Sequence, residues 1–132
     1  MKKYTNIKDI ANISETIQSA IQLKKNPFQF ENLGRHKTSV MLFFNSSLRT
    51  RLSTEKAAKN LGMQVVVLNV NDAWDLEFED GSIMNLNTSE HIKEAAQVIS
   101  QYADIIAVRA FATLKDKQKD DSEHLLKSFL KY

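Results

Sequence analysis

Three short runs of uninterrupted apolar residues punctuate the chain: Ser39 to Phe44 (SVMLFF), Val65 to Leu68 within QVVVLNV, and Ile105 to Val108 within DIIAVRA. Runs of this length, rich in Val and Ile and without polar alternation, predict strands buried on both faces. Helical spacing fills the gaps between them. Leu52, Ala57, Ala58 and Leu61 form one apolar face closed by Gly62 at a C-cap position, and Ile92, Ala95, Ala96, Ile99 and Tyr102 form another. Upstream, Ile10, Ile13, Ile17, Ala20 and Ile21 share a helical stripe, and Asn12 with Glu15 resembles a capping box. A first helix over about 13 to 24 follows, ended by Pro27. Leu125, Leu126, Phe129 and Leu130 predict a last amphipathic helix behind the polar stretch KDKQKDDSE.

The alternation of strand and helix with short connections predicts an α/β fold: a three-layer domain with a parallel sheet flanked by helices, wound in right-handed βαβ units. One connection is disproportionate. Asn71 to Thr88 (NDAWDLEFEDGSIMNLNT) far exceeds the roughly 2 to 6 residues usual for a βα loop, and it carries the only tryptophan, Trp74, among acidic residues.

With 132 residues there is room for one ordinary domain with a core, so residues 1–132 are expected to form a single unit. Eighteen basic against 16 acidic residues leave a net charge of +2, too little to drive binding to nucleic acid or an anionic membrane. No cysteine is present, which excludes disulfides and thiolate chemistry and suits a reducing compartment. The N-terminus MKKYTNIKDIANI has no apolar run behind its lysines, giving neither a signal peptide nor a membrane span and pointing to the cytoplasm. His36, His91 and His124 are scattered without ligand spacing, so neither a metal nor another cofactor is expected.

Ligands of parallel sheets bind beyond the carboxyl ends of the strands. At that edge the sequence places Asn45, Ser46, Ser47, Leu48, Arg49, Thr50 and Arg51 after the first strand, the Trp74 loop after the second, and Arg109 at the end of the third. Two arginines in the first turn of a helix oppose the electrostatic preference for negative charge there, unless an anion occupies the site. Guanidinium groups, hydroxyls and free backbone N–H groups suit a phosphate or a carboxylate. The segment lacks glycine, so it is neither a Walker A loop nor a dinucleotide turn. Arg49 and Arg51 project to roughly opposite sides of a helix, and position alone favours Arg49 as the one sharing a ligand with Ser47. The bland alternatives are Ser47 as a simple N-cap, solvated arginines, and Arg109 as a strand-end salt bridge.

Ser47-Leu48-Arg49-Thr50-Arg51 after an FF strand end resembles the S-T-R-T-R carbamoyl-phosphate motif of the aspartate and ornithine transcarbamylases. The longer phrase FFNSSLRTRLSTEKAAKNLGM, the DAW at 72 to 74 and DIIAVRAF resemble the branch that carbamoylates N-acetylornithine or N-succinylornithine, a reaction of arginine biosynthesis. The resemblance implies that Ser47, Leu48, Arg49 and Thr50 bind the phosphate of carbamoyl phosphate. It implies too that Arg109 contacts the carbonyl and phosphate oxygens, and that Trp74 enters the site of a neighbouring subunit in a homotrimer. Arg49, Thr50 and Arg109 would be the catalytic set. Leu48 stands where the motif usually has threonine, and Ser89-Glu90-His91 stands where ordinary ornithine enzymes have G-E-S, which points away from plain ornithine. Family members are more than twice as long and carry an H-P-x-Q motif and an amino-acid-binding domain, neither of which occurs in these residues. The expectation is therefore a carbamoyl-phosphate domain cut or terminated early, missing the last strand of its sheet and inactive alone; a non-catalytic anion-binding or interaction module on the same fold is the alternative.

Overall fold

The computed structural model describes residues 4, 6–70, 75–78, 81–82, 90–112 and 114–132. Three strands, β1 (Thr38–Phe43), β2 (Gln64–Asn69) and β5 (Ile105–Arg109), form a parallel sheet in the order β2-β1-β5. The central strand has five of its six residues buried, as its unbroken apolar run requires. Alternate side chains divide the core. Val40, Leu42 and Phe44 face a cluster with Val70, Ala95 and Ile99, joined by Leu125 and Phe129. Thus α3 (Ile92–Tyr102) and α5 (His124–Lys131) cover this face, and the Phe44 and Phe129 rings meet edge to face at 6.0 Å. On the other face α2 (Arg49–Asn60) lies along β2, with Ala58 and Met63 buried.

Residues in register on parallel neighbours share a face. Phe43 is level with Asn69 on one side and Arg109 on the other, so these three form a row across the carboxyl edge. The α/β architecture and the limits of all three apolar-run strands match the sequence expectation, each within a residue, but burial on both faces holds for β1 alone. No residue of β2 or β5 is buried, and Val66 and Ile105 are 43% and 51% exposed, because each of these strands is an edge of the three-stranded sheet.

Four local features differ from the pattern reading. Asn12 does cap α1 (Ile13–Lys25) by accepting from Glu15 N at 3.1 Å, but the reciprocal capping box belongs to Asn6 and Asp9, around a 3-10 turn at Ile7–Asp9. The apolar stripe of α1 stays outside the core, with Ile13, Ile17 and Ile21 at 45%, 53% and 51% exposure. Within and after the long connection, β3 (Leu76–Glu77) and β4 (Glu90–His91) pair in parallel, and His91 caps α3 through Nδ1, which accepts from Lys93 N. Finally, part of the polar KDKQKDDSE stretch forms α4 (Lys117–Asp121), nucleated where Asp116 Oδ1 accepts from Gln118 N at 3.0 Å.

The end of α2 sets the approach to β2. Gly62 N donates to Lys59 O and Met63 N to Ala58 O, the paired bonds of a Schellman motif, with Gly62 at φ +80°. A Cβ on Gly62 would lie 2.1 Å from Glu31 O, so both conformation and space demand glycine. Gly62→Ala is expected to lower stability by about 1–3 kcal/mol; a urea denaturation midpoint unchanged from wild type would contradict that.

Candidate functional site: an anion cradle at the carboxyl edge of the sheet

The chain leaves β1 at Phe43 and enters α2 at Arg49 through Asn45, Ser46 and Ser47. Leu48, not Ser47, is the N-cap, with φ −90° and ψ −60°, and no side chain caps the first turn. The simple N-cap reading of Ser47 is therefore corrected: its hydroxyl is not spent on the helix. The turn contains no acidic residue. Uncapped N–H groups at Arg49, Thr50 and Arg51 thus coincide with two guanidinium groups, and every local charge favours an anion.

Beside this turn lies an open cleft of ≈ 670 Å³, lined by Ser46, Ser47, Leu48, Arg51 and Asn69 over Phe43. Arg51 Nη2 donates to Asn69 Oδ1, and its guanidinium carbon sits 5.0 Å from the Phe43 ring centroid. Arg49 and Thr50 are exposed and do not line the cleft. Arg49 has no ion pair or hydrogen bond from its side chain among the described residues, whereas Arg51 is held on two sides.

Arg109 closes the row from the opposite side. Its Nη1 donates to Asn45 O at 3.2 Å and Ser46 O at 3.0 Å, and its guanidinium carbon lies 4.2 Å from the Phe111 ring centroid. Asn45 Oδ1 in turn accepts from Phe111 N at 2.7 Å, while Phe44 N donates to Arg109 O at 3.0 Å. The turns after β1 and β5 are thereby cross-linked. No carboxylate pairs with Arg109 among the described residues, so the salt-bridge alternative is corrected as well.

Ser47, Leu48, Arg49, Thr50 and Arg109 therefore converge on one edge of the sheet, with Arg49 and Thr50 at its rim. Trp74 lies outside the described residues. Asn69 was not singled out from the sequence, although a polar residue ending VVVLN at the level of Arg109 is the signal that marks it. Among the described residues no cluster of three potential metal ligands occurs.

A parallel α/β sheet whose carboxyl edge presents an uncapped, doubly cationic helix start defines an anion-binding domain of the open-sheet class. The chain belongs to the aspartate/ornithine carbamoyltransferase family, whose carbamoyl-P binding domain model matches residues 2–128. It is 49% identical over its full length to an N-succinylornithine carbamoyltransferase of Bacteroides thetaiotaomicron, covering 42% of that protein. To an N-acetylornithine carbamoyltransferase of Xanthomonas campestris pv. campestris it is 41% identical, again over its full length and covering 39% of the relative. Among solved structures, acetylornithine transcarbamylase complexed with acetylcitrulline superposes with a TM-score of 0.82 at 40% identity, over all of this chain and 40% of that one. A mutant N-acetyl-L-ornithine transcarbamylase complexed with carbamyl phosphate and N-succinyl-L-norvaline gives 0.83 at the same identity and coverage. The chain thus spans about two fifths of the length of the curated relatives it matches.

Arg109→Ala removes a charged donor from two carbonyls of the turn that precedes α2. In the ligand-free chain it is expected to cost about 1–2 kcal/mol of stability, reduced from the fully buried value because Arg109 is partly solvated. A denaturation curve superimposable on wild type would show that the brace carries no load.

Proposed function

We propose that these residues are the carbamoyl-phosphate half of a carbamoyltransferase that acts on an N-acylated ornithine. The observation carrying this reading is the first turn of α2, which has no side-chain cap, no acid and two arginines, and follows the turn whose Asn45 and Ser46 carbonyls accept from Arg109. The relatives and solved neighbours that share the whole chain are carbamoyltransferases of N-succinylornithine and N-acetylornithine, which supports the substrate class.

The reaction is an addition and an elimination. The neutral δ-amine attacks the carbamoyl carbon, the C=O π electrons move to oxygen, and the tetrahedral intermediate collapses with cleavage of the C–O bond to phosphate while the amine nitrogen loses a proton. Placement and charge stabilisation suffice. Ser47, Leu48 and Thr50 hold the phosphate, the Leu48 contribution coming from its backbone N–H. Arg49, without a side-chain partner among the described residues, neutralises the departing phosphate; Arg109 with the Thr50 hydroxyl steadies the carbonyl oxygen as it becomes an oxyanion. The acceptor is held by a second domain, and Trp74 reaches into a neighbouring subunit's site within a homotrimer. A cytoplasmic setting belongs to the same proposal, supported by the cysteine-free sequence. Catalysis needs both reactants in near-attack geometry, so these 132 residues alone bind carbamoyl phosphate without transferring its carbamoyl group.

Arg49→Ala is expected to weaken carbamoyl-phosphate binding by about 10- to 100-fold in calorimetry, the loss of a charge-assisted contact, with an unchanged denaturation midpoint because Arg49 is exposed. Unaltered affinity would remove Arg49 from the site. Absence of binding to the wild-type chain would refute the carbamoyl-phosphate reading. Turnover by the chain alone, abolished by Arg49→Ala, would refute the division of labour.

Joined to the second domain, a Trp74→Ala chain mixed with an Arg49→Ala chain should recover part of the activity that each lacks. Some interfaces would then combine an intact Arg49 with a neighbour's intact Trp74. No recovery in demonstrably mixed trimers would place the function of Trp74 within its own subunit.

A further inference from the structure

Arg51 occupies a contradictory position. It lies in the first turn of α2, where a cation is electrostatically disfavoured, and its Nε is buried without a hydrogen-bond partner among the described residues. No carboxylate pairs with it there. Such a placement costs stability, so an opposing requirement must hold it.

The contacts identify that requirement. Arg51 Nη2 donates to Asn69, the last residue of β2, while the guanidinium face covers Phe43, the last residue of β1. One side chain thus ties the start of α2 to the ends of two neighbouring strands. Phe43, Asn69 and Arg109 share one register row, so the tie fixes the uncapped N–H groups relative to Arg109. The partner at 69 is an amide, not a carboxylate, so the anchor leaves the positive charge of Arg51 uncancelled beside the cleft.

We infer that Arg51 is a positioning residue, which acts through Asn69 and Phe43 to aim the first turn of α2 at the anion. It differs in role from Arg49, whose side chain is exposed and makes no hydrogen bond or ion pair among the described residues. The inference rests on the anion-binding reading above and assigns its geometry to an anchor that touches no substrate. Asn69 becomes part of the machinery although it contributes no charge.

Arg51→Lys, Asn69→Ala and the double variant separate positioning from contact. Lysine keeps the charge but loses the planar fork and its fit over the ring. Acting through one anchor, the two single variants should each weaken inorganic-phosphate binding about tenfold in calorimetry, and the double variant should bind no worse than the weaker single. In all three, amide exchange at Leu52, which closes the first helical bond of α2 to Leu48 O, should accelerate before ligand is added. Full affinity in Asn69→Ala with a loss in Arg51→Lys would make Arg51 a direct ligand and overturn the inference; so would additive losses. Should Asn69→Ala fail to fold, Asn69→Ser replaces it. If the wild-type chain binds no phosphate, the anion-binding reading fails separately and the exchange data decide: acceleration at Leu52 in both single variants upholds the anchor, and unchanged exchange overturns it.

Discussion

The burial of β1 between two parallel neighbours is the constraint on which the rest of the molecule depends. Five of its six residues are buried, and both flanking strands take their register from it. Because parallel partners are evenly spaced and face the same way, Asn69, Phe43 and Arg109 must end level on one face. The chemistry at the edge is a consequence of that alignment, since no loop has to search for it. Arg109 braces the turn after β1 from one side, and Arg51 anchors the helix start to the row from the other.

Electrostatics then explains why the helix start is built against local preference. A first turn with two arginines, no acid and no cap is unfavourable in isolation, and each departure has a low-cost remedy that the chain does not use: Ser47 is present yet does not cap. Asn6, Asn12 and His91 cap their helices, and α5, entered through Glu123, also lacks a side-chain cap; what sets the start of α2 apart is that the missing cap and missing acid coincide with two arginines, which is the ground for reading it as an anion site. In the proposed function a phosphate dianion would satisfy the free N–H groups and the cations at once.

Much of this was legible in the sequence, for identifiable physical reasons. Continuous apolar runs located the three strands and their parallel order, although the double-sided burial they predict is realised in β1 alone and not in the edge strands β2 and β5, and the serine-arginine segment stood where a helix begins. What pattern could not supply was tertiary. The stripe of α1 predicted a helix correctly and left its burial open, because periodicity reports an apolar face and not whether anything covers it; Ile13, Ile17 and Ile21 are exposed. Position favoured Arg49 as the arginine beside Ser47, whereas Arg51 lines the cleft with Ser47, because the choice depends on Asn69 and Phe43, both distant in sequence from the helix start. The short helix α4 arises from an aspartate cap rather than from apolar spacing, and so left no hydrophobic signature.

Mapping of backbone and arginine N–H resonances in the wild-type chain during titration with carbamoyl phosphate locates the ligand without any substitution. Saturable shifts concentrated at Ser47 to Arg51 and at the Arg109 side chain are the expected result. Shifts confined to the apolar cleft on the other side of β5, around Phe78, Val108 and Leu125, or an unchanged spectrum at saturating ligand, would contradict an anion cradle at the carboxyl edge of the sheet.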